Sequence, residues 1–128
     1  LFGSWKAKYM DYNTPQDIEQ PMAAAFMIRR QLPAEIGIMD DRFSMFFNDV
    51  DLCKKVYESG SKIRLLPSSI VTHEHGASIK KDRTRMIKVW NEDCAKYFEK
   101  HFGNGLLLIW LKVNLKISGF IRIFLIKK

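Results

Sequence analysis

Asp49 and Asp51 stand two residues apart in Phe47-Asn48-Asp49-Val50-Asp51-Leu52-Cys53, where a helical pattern begins. A carboxylate beside an acceptor hydroxyl can take its proton as that oxygen attacks, which is general-base work. Backbone N–H groups at a helix start hold such a carboxylate in place and keep it ionised. The same residues also suit plain capping by Asn48 or Asp49, with no chemistry attached. His73 comes later, in His73-Glu74-His75-Gly76-Ala77-Ser78, after the apolar run Ser69-Ile70-Val71-Thr72. An imidazole at the C-terminal edge of a sheet can complete the shell of a divalent cation that also holds a diphosphate. His75 would share that face on a continued strand. The plain alternative is a hydrogen-bonded histidine closing the strand. The cations of Lys80-Lys81-Asp82-Arg83-Thr84-Arg85 either neutralise a departing nucleotide diphosphate or simply face water at a helix start.

These groups need elements to position them. Residues 1–20 read as a loop region or the tail of a preceding element. Residues 22–28, Met-Ala-Ala-Ala-Phe-Met-Ile, form a compact apolar run that predicts a buried strand. Residues 32–36 predict one helical turn ending at Gly37. Leu52, Cys53, Val56 and Tyr57 recur at helical spacing, which predicts a helix over residues 49–59 with Gly60 as its stop. Residues 62–66 and 69–72 predict strands around Pro67. Met86, Trp90, Cys94, Tyr97 and Phe98 mark one face of a second helix, ended by Gly103 and Gly105.

Residues 106–126 are apolar and long, yet Lys112, Asn114, Lys116 and Arg122 interrupt them. Lys112, Lys116, Gly119 and Arg122 fall on one helical stripe with a broad apolar face opposite. That pattern suits a helix lying in a membrane interface, with Trp110 as a headgroup anchor, better than a spanning one. The alternative is a helix packed on the core with its lysines in water.

The chain has 128 residues, a formal net charge of +7 and 47% hydrophobic residues, which fits one globular domain or part of one. The positive balance invites an acidic partner: nucleic acid, anionic lipid or a phosphorylated substrate. Nucleic acid is the weakest of these, because the aromatics fall on apolar faces and no nucleic-acid-binding signature is present. Cys53 and Cys94 fall at apolar helical positions and read as reduced core thiols. Leu1 reads as a cut through a longer protein.

Several pieces, in order, resemble the inverting family-2 glycosyltransferases, especially the rhamnosyltransferase-like branch of bacterial cell-surface polysaccharide synthesis. Gln20-Pro21-Met22-Ala23-Ala24-Ala25-Phe26-Met27-Ile28-Arg29-Arg30 is similar to that family's small-residue strand ending in arginine. Asp40-Asp41-Arg42-Phe43 resembles its lead-in to the Glu-Asp-x-Asp-Leu-Cys motif, and Asn48-Asp49-Val50-Asp51-Leu52-Cys53 resembles the motif itself, with Asn48 in place of the usual glutamate. Gly60 and residues 63–67 resemble the glycine, strand and proline that the family places after that motif. His73-x-x-Gly76-x-Ser78 is similar to its His-x-x-Gly-x-Ser motif. Tyr97-Phe98-Glu99-Lys100-His101-Phe102-Gly103 resembles the helix end before the membrane-proximal tail.

The resemblance implies an α/β fold: the C-terminal, acceptor-side half of a GT-A nucleotide-diphospho-sugar transferase domain over residues 1–103. It has a mixed sheet with flanking helices, followed by a basic amphipathic tail over 104–128. It implies Asp49 as catalytic base, His73 as a ligand of Mg²⁺ or Mn²⁺, and substrate contact by Asp51, Lys80, Lys81 and Arg83. The implied partners are a nucleotide-sugar donor, a glycan or lipid-linked acceptor and an anionic membrane surface. The implied location is the cytoplasmic side of the cell membrane. The donor-binding half, with its Asp-x-Asp metal motif, lies N-terminal to these pieces in the family, so the chain by itself is expected to be inactive. A non-catalytic membrane-associated module is the rival expectation.

Overall fold

The computed structural model describes residues 10–74, 76, 79 and 81–126. In chain order these form β1 (Gln16–Asp17), α1 (Leu32–Ile36), α2 (Asn48–Glu58), β2 (Arg64–Leu65), α3 (Arg83–Phe102) and α4 (Leu106–Ile126). Helices carry the structure. The sheet is one antiparallel pair, Gln16 opposite Leu65 and Asp17 opposite Arg64.

The expected α/β fold, with the mixed sheet of a GT-A half, is therefore corrected to a mostly helical one among the described residues. The reason is local. An extended segment is a strand only where a neighbour takes its N–H and C=O groups. Residues 22–28 have no such neighbour among the described residues, and Met27 is 99% exposed. Residues 69–72 are irregular as well, with Ile70 89% exposed. Only the centre of the 62–66 run finds a partner.

The helices match their sequence patterns more closely. α2 buries Leu52, Cys53 and Val56 on one face, and Asp49 and Asp51 lie in its first turn, where the macrodipole favours anions. Its C-terminus closes with Gly60 N–H donating to Tyr57 O (3.0 Å) and Ser61 N–H to Val56 O (3.1 Å). Gly60 adopts φ 74°, the left-handed position this Schellman closure needs. The N-terminus differs from expectation. Neither Asn48 nor Asp49 is the cap; Phe47 is, at φ 65° and with no side-chain cap bond. A left-handed Phe is strained by about 1–3 kcal/mol. Its ring is held against α3, 5.7 Å from the Trp90 ring and 5.4 Å from Tyr97, centroid to centroid.

α3 begins at Asp82, whose carboxylate accepts from Arg85 N–H at 2.9 Å. Gly103 ends it, and α4 turns back antiparallel along it. Lys112 meets Glu99, Leu115 and Gly119 meet Asn91, and Arg122 meets Asn91 and Trp90. Phe43, Leu52, Cys53, Val56 and Cys94 form the core between α2 and α3, and Leu108 and Leu115 a second one under α4. Cys53 and Cys94 are buried free thiols. Burial, aided by the nearby Asp49 charge, pushes the Cys53 thiol up to about 11, and burial raises Cys94 as well.

Of the stripe Lys112, Lys116, Gly119 and Arg122, Gly119 and Arg122 pack on α3 and Lys112 reaches Glu99 from a partly exposed position, while Lys116 stands in water. Leu108, Lys112, Leu115, Gly119 and Arg122 are spaced four, three, four and three apart, a seam against a partner helix. The apolar face is left outside. Leu106, Leu107, Ile109, Trp110, Val113, Ile117, Phe120 and Ile121 are each at least half exposed or close to it, from 49% to 86%.

Candidate active site

α2 presents its two aspartates to different surroundings. Asp49 is half-buried at the first turn. One carboxylate oxygen accepts from Val50 N–H at 2.9 Å, and the other takes a long 3.4 Å bond from Ala23 N–H. No cation pairs with it among the described residues. Beside it runs an open groove of about 330 Å³, lined by Val50, Cys53, Lys54 and Tyr57 of α2, Tyr97 of α3, and Glu19 and Gln20. Asp49 is not among the lining residues; it adjoins the groove through Val50, whose N–H its Oδ1 accepts.

Asp51 is fully buried. Lys100 Nζ donates to its Oδ1 at 2.6 Å, His101 Nε2 lies 2.8 Å from the same oxygen, and Lys55 Nζ is 3.5 Å from Oδ2. Burial alone would push this carboxyl up; the Lys100 and His101 hydrogen bonds and the Lys100 and Lys55 charges outweigh it and hold the carboxyl below its ordinary value. Lys100 also donates to Asp40 at 2.8 Å. Bonds from Arg42, then Lys100, hold Asp40 far below the usual carboxylate range. Asp51, expected to contact substrate, instead ties α2 to α3. Its Oδ2 makes no hydrogen bond among the described residues and lies 3.5 Å from Lys55 Nζ, and with no exposed surface Asp51 meets no ligand from solvent in this conformation.

Of the remaining expected residues, His73, Lys81 and Arg83 make no hydrogen bond with Asp49. His73 and Glu74 are exposed in an irregular segment, so the histidine closes no strand and stands at no sheet edge. No three His, Cys, Asp or Glu side chains gather to hold a metal ion among the described residues. The described residues therefore build no cation site by themselves. Lys81 and Arg83 are exposed at the start of α3. Arg83 borders a shallow apolar depression with Phe46, Ile79, Met86, Ile87 and Ile126. Lys80 and His75 lie outside the described residues.

Residues not singled out from sequence organise the site. Asp93, Lys96, Lys100 and His101 project from one side of α3 onto residues 40–51. A signal was available. Asp93 sits three residues after Trp90 and four before Tyr97, on the apolar stripe itself. A charged residue there has to be satisfied from within. Compared with protein-family models, curated proteins and solved structures, the chain matches none.

Proposed function

We propose that this chain carries the acceptor side and general base of a sugar transfer. A glycan or lipid-linked hydroxyl attacks the anomeric carbon of a nucleotide-sugar, configuration inverts, and the diphosphate leaves. The setting is bacterial cell-surface polysaccharide synthesis at the cytoplasmic face of the membrane. One observation carries this reading: of the two aspartates in the motif, Asp49 alone keeps its carboxylate only partly buried and without a cation, next to a residue, Val50, that lines an open groove. An acceptor hydroxyl in that groove meets a base that no lysine has neutralised. Asp49 takes the hydroxyl proton as the oxygen attacks. A Mg²⁺ or Mn²⁺ requirement stays part of the proposal, but no step is routed through it, because the described residues build no cation site. The donor half is proposed to lie outside these residues.

The outward face of α4 favours a membrane partner in either reading, catalytic or not. Its large side chains stand in water along a helix with no acidic residue. Among the described residues no helix is long and apolar enough to cross a membrane, so α4 would lie in the interface.

The test is sugar transfer by the intact parent enzyme and its Asp49→Asn variant, with and without Mn²⁺, over a panel of nucleotide-sugars. General-base loss lowers turnover by about 10²–10⁴-fold. Equal turnover in the variant removes Asp49 from the chemistry. Absence of transfer with every donor, together with retained vesicle binding, leaves the non-catalytic module.

A further inference from the structure

Ser44, Met45 and Phe46 aim consecutive backbone N–H groups at one carboxylate. Ser44 N lies 3.0 and 3.1 Å from the two oxygens of Asp93, and Met45 N and Phe46 N each lie 3.0 Å from Oδ2. The acceptor stands on α3 and is fully buried, with Lys96 Nζ 3.5 Å from Oδ1. Successive N–H groups curved round an anion form a nest, here filled by the protein's own side chain. A carboxylate fills it with both oxygens; an amide with its oxygen in the Oδ2 place would lose the charge and turn its NH₂ group toward Ser44 N–H and Lys96 Nζ. The position in the chain gives the nest a consequence. Phe47 comes next in the left-handed region, and α2 begins one residue later. Three N–H donors held on one side and a strained, left-handed Phe47 on the other restrict the direction of the first turn of α2.

We propose that Asp93 is a positioning residue for Asp49: by fixing the backbone of Ser44, Met45 and Phe46 it sets where the first turn of α2 holds the Asp49 carboxylate. The catalytic consequence rests on the function proposed above; the geometric one does not. Asp93 touches no substrate and moves no proton. It acts over the distance of one turn, through backbone.

The experiment uses Asp93→Asn and Asp93→Glu in the intact parent enzyme. Asp93→Asn is expected to lower amide protection at Ser44–Phe46 while that of Leu52 and Val56 persists, and to shift the ¹³C signal of the Asp49 carboxyl. It is expected to lower kcat by about 10²-fold with KM unchanged, the scale of a small misplacement of a catalytic group. Asp93→Glu keeps the charge, displaces the oxygens and changes kcat in the same direction. It also stands in if the Asn variant does not fold. The deciding comparison is the double variant. If Asp93 acts through Asp49, Asp93→Asn adds no further loss to Asp49→Asn. The same fractional loss in both backgrounds overturns the proposal, and so does an unmoved Asp49 carboxyl signal. If the wild-type enzyme transfers no sugar, the function reading fails, and the carboxyl signal and amide protection still decide the geometric claim.

Discussion

Lys100 Nζ lies 2.6 Å from Asp51 Oδ1, a bond that joins residues 49 apart in sequence. It is the centre of a buried cluster in which Lys55, His101 and Asp40 also take part. The desolvation cost of such a group is recovered only while every partner is present. Asp51→Asn leaves Lys55 and His101 facing a neutral amide. The expected loss is about 3–5 kcal/mol of unfolding free energy, read from urea titration. Lys62→Met, which breaks the exposed pair with Asp17 at 2.7 Å, is expected to leave the urea midpoint almost unmoved, because solvent screens the pair. Equal losses in the two variants would mean that the Asp51 cluster is no stronger than a surface pair.

The cluster also sets an acid limit. Asp51 and Asp93 both have folded-state values below the ordinary one: burial opposes ionisation in each, and the hydrogen bonds they accept outweigh it. Asp40 is held far below the ordinary value as well, by Arg42 and then Lys100. A depressed carboxyl contributes stability in full above its unfolded value of about 3.9, and loses it as pH falls toward the folded value. The unfolding midpoint in urea is therefore expected to fall steeply as pH drops from about 5 toward about 2. The Asp51→Asn variant is expected to show a shallower fall. A midpoint flat through that window would contradict the ion-pair geometry.

The helices are legible in the sequence and the sheet is not, for one physical reason. A helix satisfies its own backbone, so the spacing of Leu52, Cys53 and Val56, or of Trp90, Cys94 and Tyr97, is enough to locate it. A strand depends on a neighbour that can lie anywhere in the chain, and residues 22–28 and 69–72 have none among the described residues. In the site, Asp49 is legible as a carboxylate opening a helix. The separation of its role from that of Asp51 is not, because it depends on Lys100 and His101 arriving from α3. The stripe on α4 is legible as a stripe, but the side it faces is not. Lysine and arginine on a regular spacing suggest water, whereas Lys112 and Arg122 find Glu99, Asn91 and the Trp90 ring.

Gly119 makes that α3–α4 contact possible. A Cβ there would overlap the Asn91 amide nitrogen, which donates to Leu115 O at 2.7 Å while Asn91 Oδ1 accepts from Arg122 at 2.8 Å. Two effects oppose each other in Gly119→Ala. Helix propensity gains about 1 kcal/mol, and overpacking costs about 1–3 kcal/mol and breaks both Asn91 bonds. The second wins, so Gly119→Ala is expected to destabilise the wild type by about 1 kcal/mol. In an Asn91→Ala background the obstruction is gone, and the same change is expected to stabilise by about 1 kcal/mol. Thermal unfolding of the four proteins of this cycle checks the reversal of sign; an unchanged sign would show that Asn91 is not what Gly119 accommodates.

The orientation of α4 decides what kind of force would hold it on a membrane. If its cations faced out, binding would be mainly electrostatic and salt would abolish it. With Lys112 and Arg122 turned to α3, Lys116 is the exposed cation of the described helix, and one lysine near an anionic surface contributes only about 1 kcal/mol. Phe120, 73% exposed, can contribute about 1.5–3 kcal/mol by insertion. Phe120→Ser is thus expected to weaken binding to phosphatidylcholine–phosphatidylglycerol vesicles by roughly 10–100-fold, and Lys116→Ala by roughly fivefold. Co-sedimentation over a lipid titration measures both. The reverse order would mean that the apolar face of α4 is not what meets the bilayer, and that the charge carried elsewhere on the chain holds the protein there.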